Sequence, residues 1–182
     1  MRYRLRFKQE EIRSLAEDYS YGDQTAEERV VNEIGPRALQ AGFYKRADFL
    51  ELCYWKSPRS RPRCKENEEA FIKEVTGIAL ACRQERLRIE VLTLLRGVSW
   101  PTASVLLHFG HRERYPILDF RALWSLEIDV PVNYNFEFWW DYVVICRELA
   151  SKYSVDMRTL DRALWQYSKV NRDSGTASAD CA

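Results

Sequence analysis

The sequence predicts an all-α protein, a compact multi-helix bundle of about eight helices joined by short connections. Three observations carry this. Apolar residues recur at helical spacing in segment after segment, as at Leu87, Val91, Leu94 and Leu95 (0, 4, 7, 8). Helix punctuation falls between these segments, at Gly35-Pro36, Gly42, Gly97 and Pro101. Only Arg2 to Lys8 alternates basic and apolar residues (Tyr3, Leu5, Phe7), so it reads as extended, a short strand or an arm packed on helices.

Glu10 to Tyr19 is helical in composition, with Ile12, Leu15 and Ala16 on one face. Asp23 or Thr25 caps a further helix running to about Ala41, which Gly35-Pro36 is expected to break or kink and Gly42 to stop. Lys45 to Lys56 is amphipathic with Phe49, Leu52 and Cys53 inward. Ser57 to Lys65 (SPRSRPRCK) reads as a linker, since its prolines and serines oppose a helix; with Lys56 it is the most basic local run. Glu66, Glu68 and Glu69 suit the positive start of a helix reaching about Cys82, with Phe71, Val75, Ile78 and Ala79 inward. Glu85 to Leu95 follows.

Leu95 to Leu107 (LRGVSWPTASVLL) reads as a helix end, a four-residue turn and a helix start. Gly97 takes the backbone conformation of a helix stop, Ser99 is placed to accept from free amides of the next helix, and Pro101 sits just inside it. Ala103, Leu106 and Leu107 form its apolar face. So tight a turn leaves backbone donors at its tip, for which a phosphate is a natural partner. Beyond it, Asp119 starts a helix over Phe120 to Glu127, and Asp129 to Asn133 is a loop. Phe136 to Lys152 is the most apolar helix and is expected to be central. Asp156 caps a last helix carrying Met157, Leu160, Leu164 and Tyr167. Residues 1–170 are expected to form one all-α domain, or two small lobes sharing a core, with the hairpin and Asp119 inside 95–126. Residues 171–182, without a large apolar side chain, are expected to be a disordered tail.

The turn sequence, followed by GHRERYPILDFRAL (Gly110–Leu123), resembles the helix-hairpin-helix DNA glycosylase superfamily. There the hairpin typically reads L-P-G-V-G, two variable positions, then T-A, and a Gly/Pro-containing connector leads to an Asp at a helix start. The resemblance implies a glycosylase-like fold, DNA as partner, Asp119 as the essential carboxylate, and a DNA-contacting turn at Gly97, Val98, Ser99, Trp100 and Thr102. It also departs from the pattern. Ser99 replaces the second hairpin Gly. Pro101 stands where bifunctional members carry an amine nucleophile, which excludes a Schiff-base lyase step there. Phe-Arg-Ala follows Asp119 where Thr or Gly and then His or Asn are common.

Composition sets bounds on these readings. The net charge is +1, so nucleic-acid contact requires a local patch, for which Arg59, Arg61 and Arg63 are candidates. Five widely spaced cysteines, with no C-x-x-C pair and two histidines, give no zinc or iron–sulfur pattern; no metal site and no cofactor is expected. The thiols read as reduced and mostly buried, the chain as cytoplasmic, without a signal peptide or a membrane span.

Each candidate also has a plain reading. Asp119 is a catalytic carboxylate or the cap of its own helix. Gly97 to Ser99 hold phosphate or merely join two helices. Trp100 is a minor-groove wedge or covers its neighbouring helix. The arginine run follows a phosphate backbone or is a solvated loop. His108 and His111 read as surface or phosphate-neighbouring side chains; Tyr115 and Trp124, Trp139, Trp140 and Trp165 line a base pocket or belong to the core. The functional expectation is monofunctional hydrolysis of a base N-glycosidic bond in DNA. The alternative is a non-catalytic nucleic-acid-binding or protein-interaction module on the same scaffold.

Overall fold

The computed structural model describes residues 1–113 and 115–176, which contain helices and no strand. They divide into two compact units: Tyr21–Ile117 is contiguous, and Met1–Ser20 joins the chain from Leu118 onward. The boundary separates features that share one sequence stretch, leaving the hairpin turn in the contiguous unit and Asp119 in the other.

The contiguous unit begins with α2 (Gln24–Arg29), numbered after α1 (Ile12–Glu17) of the other unit; the Asp23 carboxylate accepts from the Thr25 N–H at 2.9 Å. Of the break or kink expected at Gly35-Pro36, the break does not occur. A π turn over Val30–Ile34 leads straight into α3 (Gly35–Ala41), the Gly35 N–H bonding to Val30 O five residues back. That wider turn accommodates a proline ring that the ordinary helical repeat would not. Gly42, at φ 75°, ends α3.

α4 (Arg46–Lys56) buries Phe49, Leu52 and Cys53 as expected. The segment read as a linker is instead helical, a 3-10 turn over Pro58–Ser60 followed by α5 (Arg61–Cys64). Each proline stands in the first positions of its turn, where no N–H is required. α6 (Glu69–Ala81) buries Ile72, Val75, Thr76 and Ala79, while Phe71 and Ile78, expected inward, are exposed. α7 (Glu85–Glu90) passes into a 3-10 turn over Val91–Leu94; Ile89, Val91, Leu92 and Leu95 are buried, whereas Leu87 and Leu94 are exposed. α8 (Trp100–Gly110) is buried from Thr102 to Leu107 and packs on α3, α4, α6 and α7. At Gly110 a Cβ would lie 2.6 Å from the Tyr44 hydroxyl, which donates to Leu106 O at 2.8 Å. A side chain there would displace the buried tyrosine.

In the other unit the N-terminal segment is an arm. Its Arg4 and Arg6 N–H groups donate to Leu126 O and Ser125 O, both at 3.0 Å. α1 (Ile12–Glu17) is shorter than expected, preceded by a 3-10 turn at Gln9–Glu11. α9 (Phe120–Ser125) and α10 (Phe136–Lys152) follow, and α11 (Met157–Thr176) packs on α1, α9 and α10. α10 is amphipathic; in this unit α11 makes the shared contacts. α11 continues past the expected end near residue 170, as Asn171 to Ser174 contain no Pro or Gly and the Asn171 amide donates to Tyr167 O at 2.9 Å. The rest of the expected tail, 177–182, lies outside the described residues. No helix among the described residues is long and apolar enough to cross a membrane.

Candidate nucleic-acid interface

Leu95 to Val98 close a four-residue turn, the Val98 N–H donating to Leu95 O at 3.0 Å. Gly97 is its third residue, at φ 80°, the place that in a type II turn demands glycine. A Cβ on Gly97 would lie 2.7 Å from Cys64 Sγ, 2.9 Å from Cys64 N and 3.0 Å from Ser60 O. The turn therefore rests directly on the Ser60–Cys64 backbone, and only glycine permits the approach.

Asn67 locks the two together. Its buried amide donates to Cys64 O and Arg96 O, each at 2.9 Å, and its Oδ1 accepts from the Arg96 N–H at 2.8 Å. Sequence reasoning missed Asn67, which sits in a run of charged residues, and Arg96. The only signal was an uncharged amide among acids.

The packing forms an open depression of about 530 Å³ lined by Arg59, Arg63, Arg96, Gly97, Val98 and Ser99 among others. Arg59 and Arg63 have no carboxylate partner among the described residues. Arg96 pairs with Glu66 at 2.6 Å. Ser99 is the N-cap of α8 in extended conformation, but its side chain makes no capping bond, contrary to expectation. The amides of Gly97 and Ser99 have no acceptor among the described residues. Unengaged amides, the positive start of an eleven-residue helix and arginine side chains thus meet in one place. The remaining predicted contacts stand apart. Arg61 lies over the Tyr54 ring at 4.4 Å, Trp100 is half-buried outside the depression, and Thr102 is buried in α8.

Under the turn, Cys64 and Cys53 form a buried thiol pair. A hydrogen bond from Cys53 lowers the Cys64 pKa to about 7, assisted by Ser60 and Arg63 and opposed by burial; burial pushes Cys53 well up.

Asp119 is half-exposed and caps α9, its Oδ1 accepting from the Arg121 N–H at 2.9 Å. Tyr134 and the buried Tyr142 lie within its electrostatic reach. Burial raises both phenol pKa values, and the Asp119 charge adds to the rise. Neither tyrosine was singled out in the sequence.

The histidines are local fasteners, not free surface groups. His108 Nδ1 meets Tyr115 O at 2.6 Å; His111 Nδ1 accepts from the Glu113 N–H at 3.0 Å and its Nε2 contacts Arg88. Tyr115 is buried with its hydroxyl on the Glu85 carboxylate at 2.8 Å, and Trp139 is a core side chain. Among the described residues no group of three or more His, Cys, Asp or Glu is placed to hold a metal ion. No family model matches this chain, and no curated protein or solved structure matches it.

Proposed function

We propose that this protein binds DNA by gripping a backbone phosphate at the Gly97–Ser99 turn, and that it is a monofunctional N-glycosylase with Asp119 as its carboxylate. One observation carries the binding reading: two stretches far apart in sequence, the arginine run and the glycine turn, line the same depression. Phosphate oxygens accept from the unengaged amides while Arg59 and Arg63 neutralise the charge. For the chemistry, departure of a base builds positive charge on its sugar. A carboxylate stabilises that charge and takes a proton from the water that adds to C1′, and the base leaves carrying a proton. Asp119 is held in place at the start of α9 by its cap, which fixes the carboxylate that this role requires. Pro101 offers no amine, so strand cleavage does not accompany base loss.

A second reading, non-catalytic nucleic-acid binding, is favoured by the commitment of Asp119 Oδ1 to its own helix. The two readings separate in one experiment. Labelled duplexes with damaged or mismatched bases are incubated with the parent, Asp119→Asn and Arg59→Glu/Arg63→Glu proteins, then assayed for binding and for alkali-labile sites. The glycosylase reading expects alkali-dependent breaks with the parent, none with Asp119→Asn, and binding by both. Binding without breaks on any substrate leaves the binding module. The arginine variant is expected to flatten the slope of log K against log salt by about 1.8 on duplex. An unchanged slope overturns the depression as the phosphate site.

A further inference from the structure

The unit that carries Asp119 has a second surface whose chemistry suits nucleic acid, and it uses none of the hairpin residues. On α11, Arg162, Trp165, Lys169 and Arg172 follow one another at spacings of 3, 4 and 3, which puts them on a single helix face. The start of α9 meets this face. The Arg121 guanidinium lies 5.3 Å from both the Phe120 and the Trp165 ring centroids, Arg172 lies 5.2 Å from Phe120, and Lys169 Nζ lies 5.3 Å from Trp165. Phe120 is 46% exposed although Tyr115 to Leu118, just before Asp119, are buried, and Arg172 is exposed. A large aromatic kept in water beside two guanidinium groups adds little to a core. It is a suitable platform for an unpaired base, with the exposed Arg172 guanidinium near it for an adjoining phosphate.

We infer that Phe120, Trp165, Arg121, Lys169 and Arg172 form a binding surface for a single nucleic-acid strand, in which a base stacks on Phe120, Arg172 meets a phosphate, and Lys169, its ammonium held by Ser20 O at 2.7 Å and Ser20 Oγ at 2.8 Å, adds positive charge beside it. The alternation of flat apolar faces with positive charge selects this partner. A duplex presents its phosphates but keeps its base faces stacked inside, whereas a single strand presents both. The inference rests on the reading of this chain as a nucleic-acid-binding protein, but not on Asp119 being catalytic or on the Gly97 turn.

The test is fluorescence anisotropy with two labelled probes, an oligothymidine and a blunt duplex of equal length. The proteins are the parent, Phe120→Ala, Arg172→Glu, Lys169→Glu/Arg172→Glu and Arg59→Glu/Arg63→Glu, each checked by far-ultraviolet circular dichroism. Phe120→Ala is expected to weaken oligothymidine binding by about tenfold, the loss of one base–aromatic stack, with duplex binding little changed. Lys169→Glu/Arg172→Glu is expected to lower the single-strand salt slope by about 1.4, so that a fourfold rise in salt costs the parent about sevenfold more affinity than the variant. Arg59→Glu/Arg63→Glu is expected to act chiefly on the duplex, so failure of the hairpin reading appears there alone. If the Lys169 change unfolds the protein, Phe120→Ala and Arg172→Glu decide. Parent protein that binds no oligothymidine at low salt, or single-strand binding indifferent to Phe120→Ala and Arg172→Glu, overturns the inference.

Discussion

Gly97 holds a left-handed backbone while its Cα hydrogens face Cys64 and Ser60 within contact distance. Gly97→Ala therefore adds both conformational strain and overlap, and is expected to destabilise by about 1–3 kcal/mol. A urea midpoint shift measures this. Ser99→Ala two residues on removes a hydroxyl that makes no cap, so it should stay within about 0.5 kcal/mol of the parent. Equal loss from both substitutions contradicts the turn geometry. Cys64 supplies a prediction in pH. Its thiol gives up a proton at about 7 in the native protein, against 9.0 ordinarily. The native state thus binds fewer protons than the unfolded chain between those values, and ∂ΔG/∂pH is positive there. This contribution is full above about pH 9 and is lost as pH falls through about 7. The urea midpoint should rise across that window in the parent and rise less in Cys64→Ser. Cys53, pushed up by burial, acts above the window.

Helices were legible where one signal dominated and misread where two competed. Asp23, Asp119 and Asp156 each carry the N-cap role that their position implies. Asp156 is the fullest case, accepting from the Thr159 N–H at 2.9 Å and its hydroxyl at 2.6 Å. Asp156→Ala is expected to cost about 1 kcal/mol of stability, and Asp156→Asn or Asp156→Ser less, as read by thermal or urea unfolding. No difference between Ala and Ser at this position would deny it the cap role. The inward faces of α6 and α7 were harder. Both helices carry apolar residues on two sides, so Phe71 and Leu87 satisfy a helical spacing yet stay in water. At Val91 the repeat tightens to 3-10, and Leu94, in phase for an α-helix, is turned out to 62% exposure. Pro36 misled in the other direction, because a π turn absorbs it without ending the helix.

Helical spacing and punctuation made the all-helical class legible, and the glycine and proline around Ser99 made the turn legible. The rest of the depression required the fold. Arg96 and Asn67 are 29 residues apart and meet only because the turn settles on the end of α5. No local pattern encodes that meeting, just as none shows that the chain divides between Ile117 and Leu118. The near-zero net charge also hides a segregation. Arg59 and Arg63 gather beside the turn, and Lys169 and Arg172 gather on α11, so positive potential is concentrated in places while the total stays at +1.

The division into units has a consequence for how the protein is made. Tyr21–Ile117 is continuous and can complete its interior as soon as it leaves the ribosome. Met1–Ser20 is synthesised before it but finds its partners after it: the arm waits for Ser125, Leu126 and Glu127, the last of these 123 positions away from Arg4. The contacts of the arm with this later segment therefore cannot form until the whole of Tyr21–Ile117 has been made, and they carry the loop-closure cost of a long sequence separation.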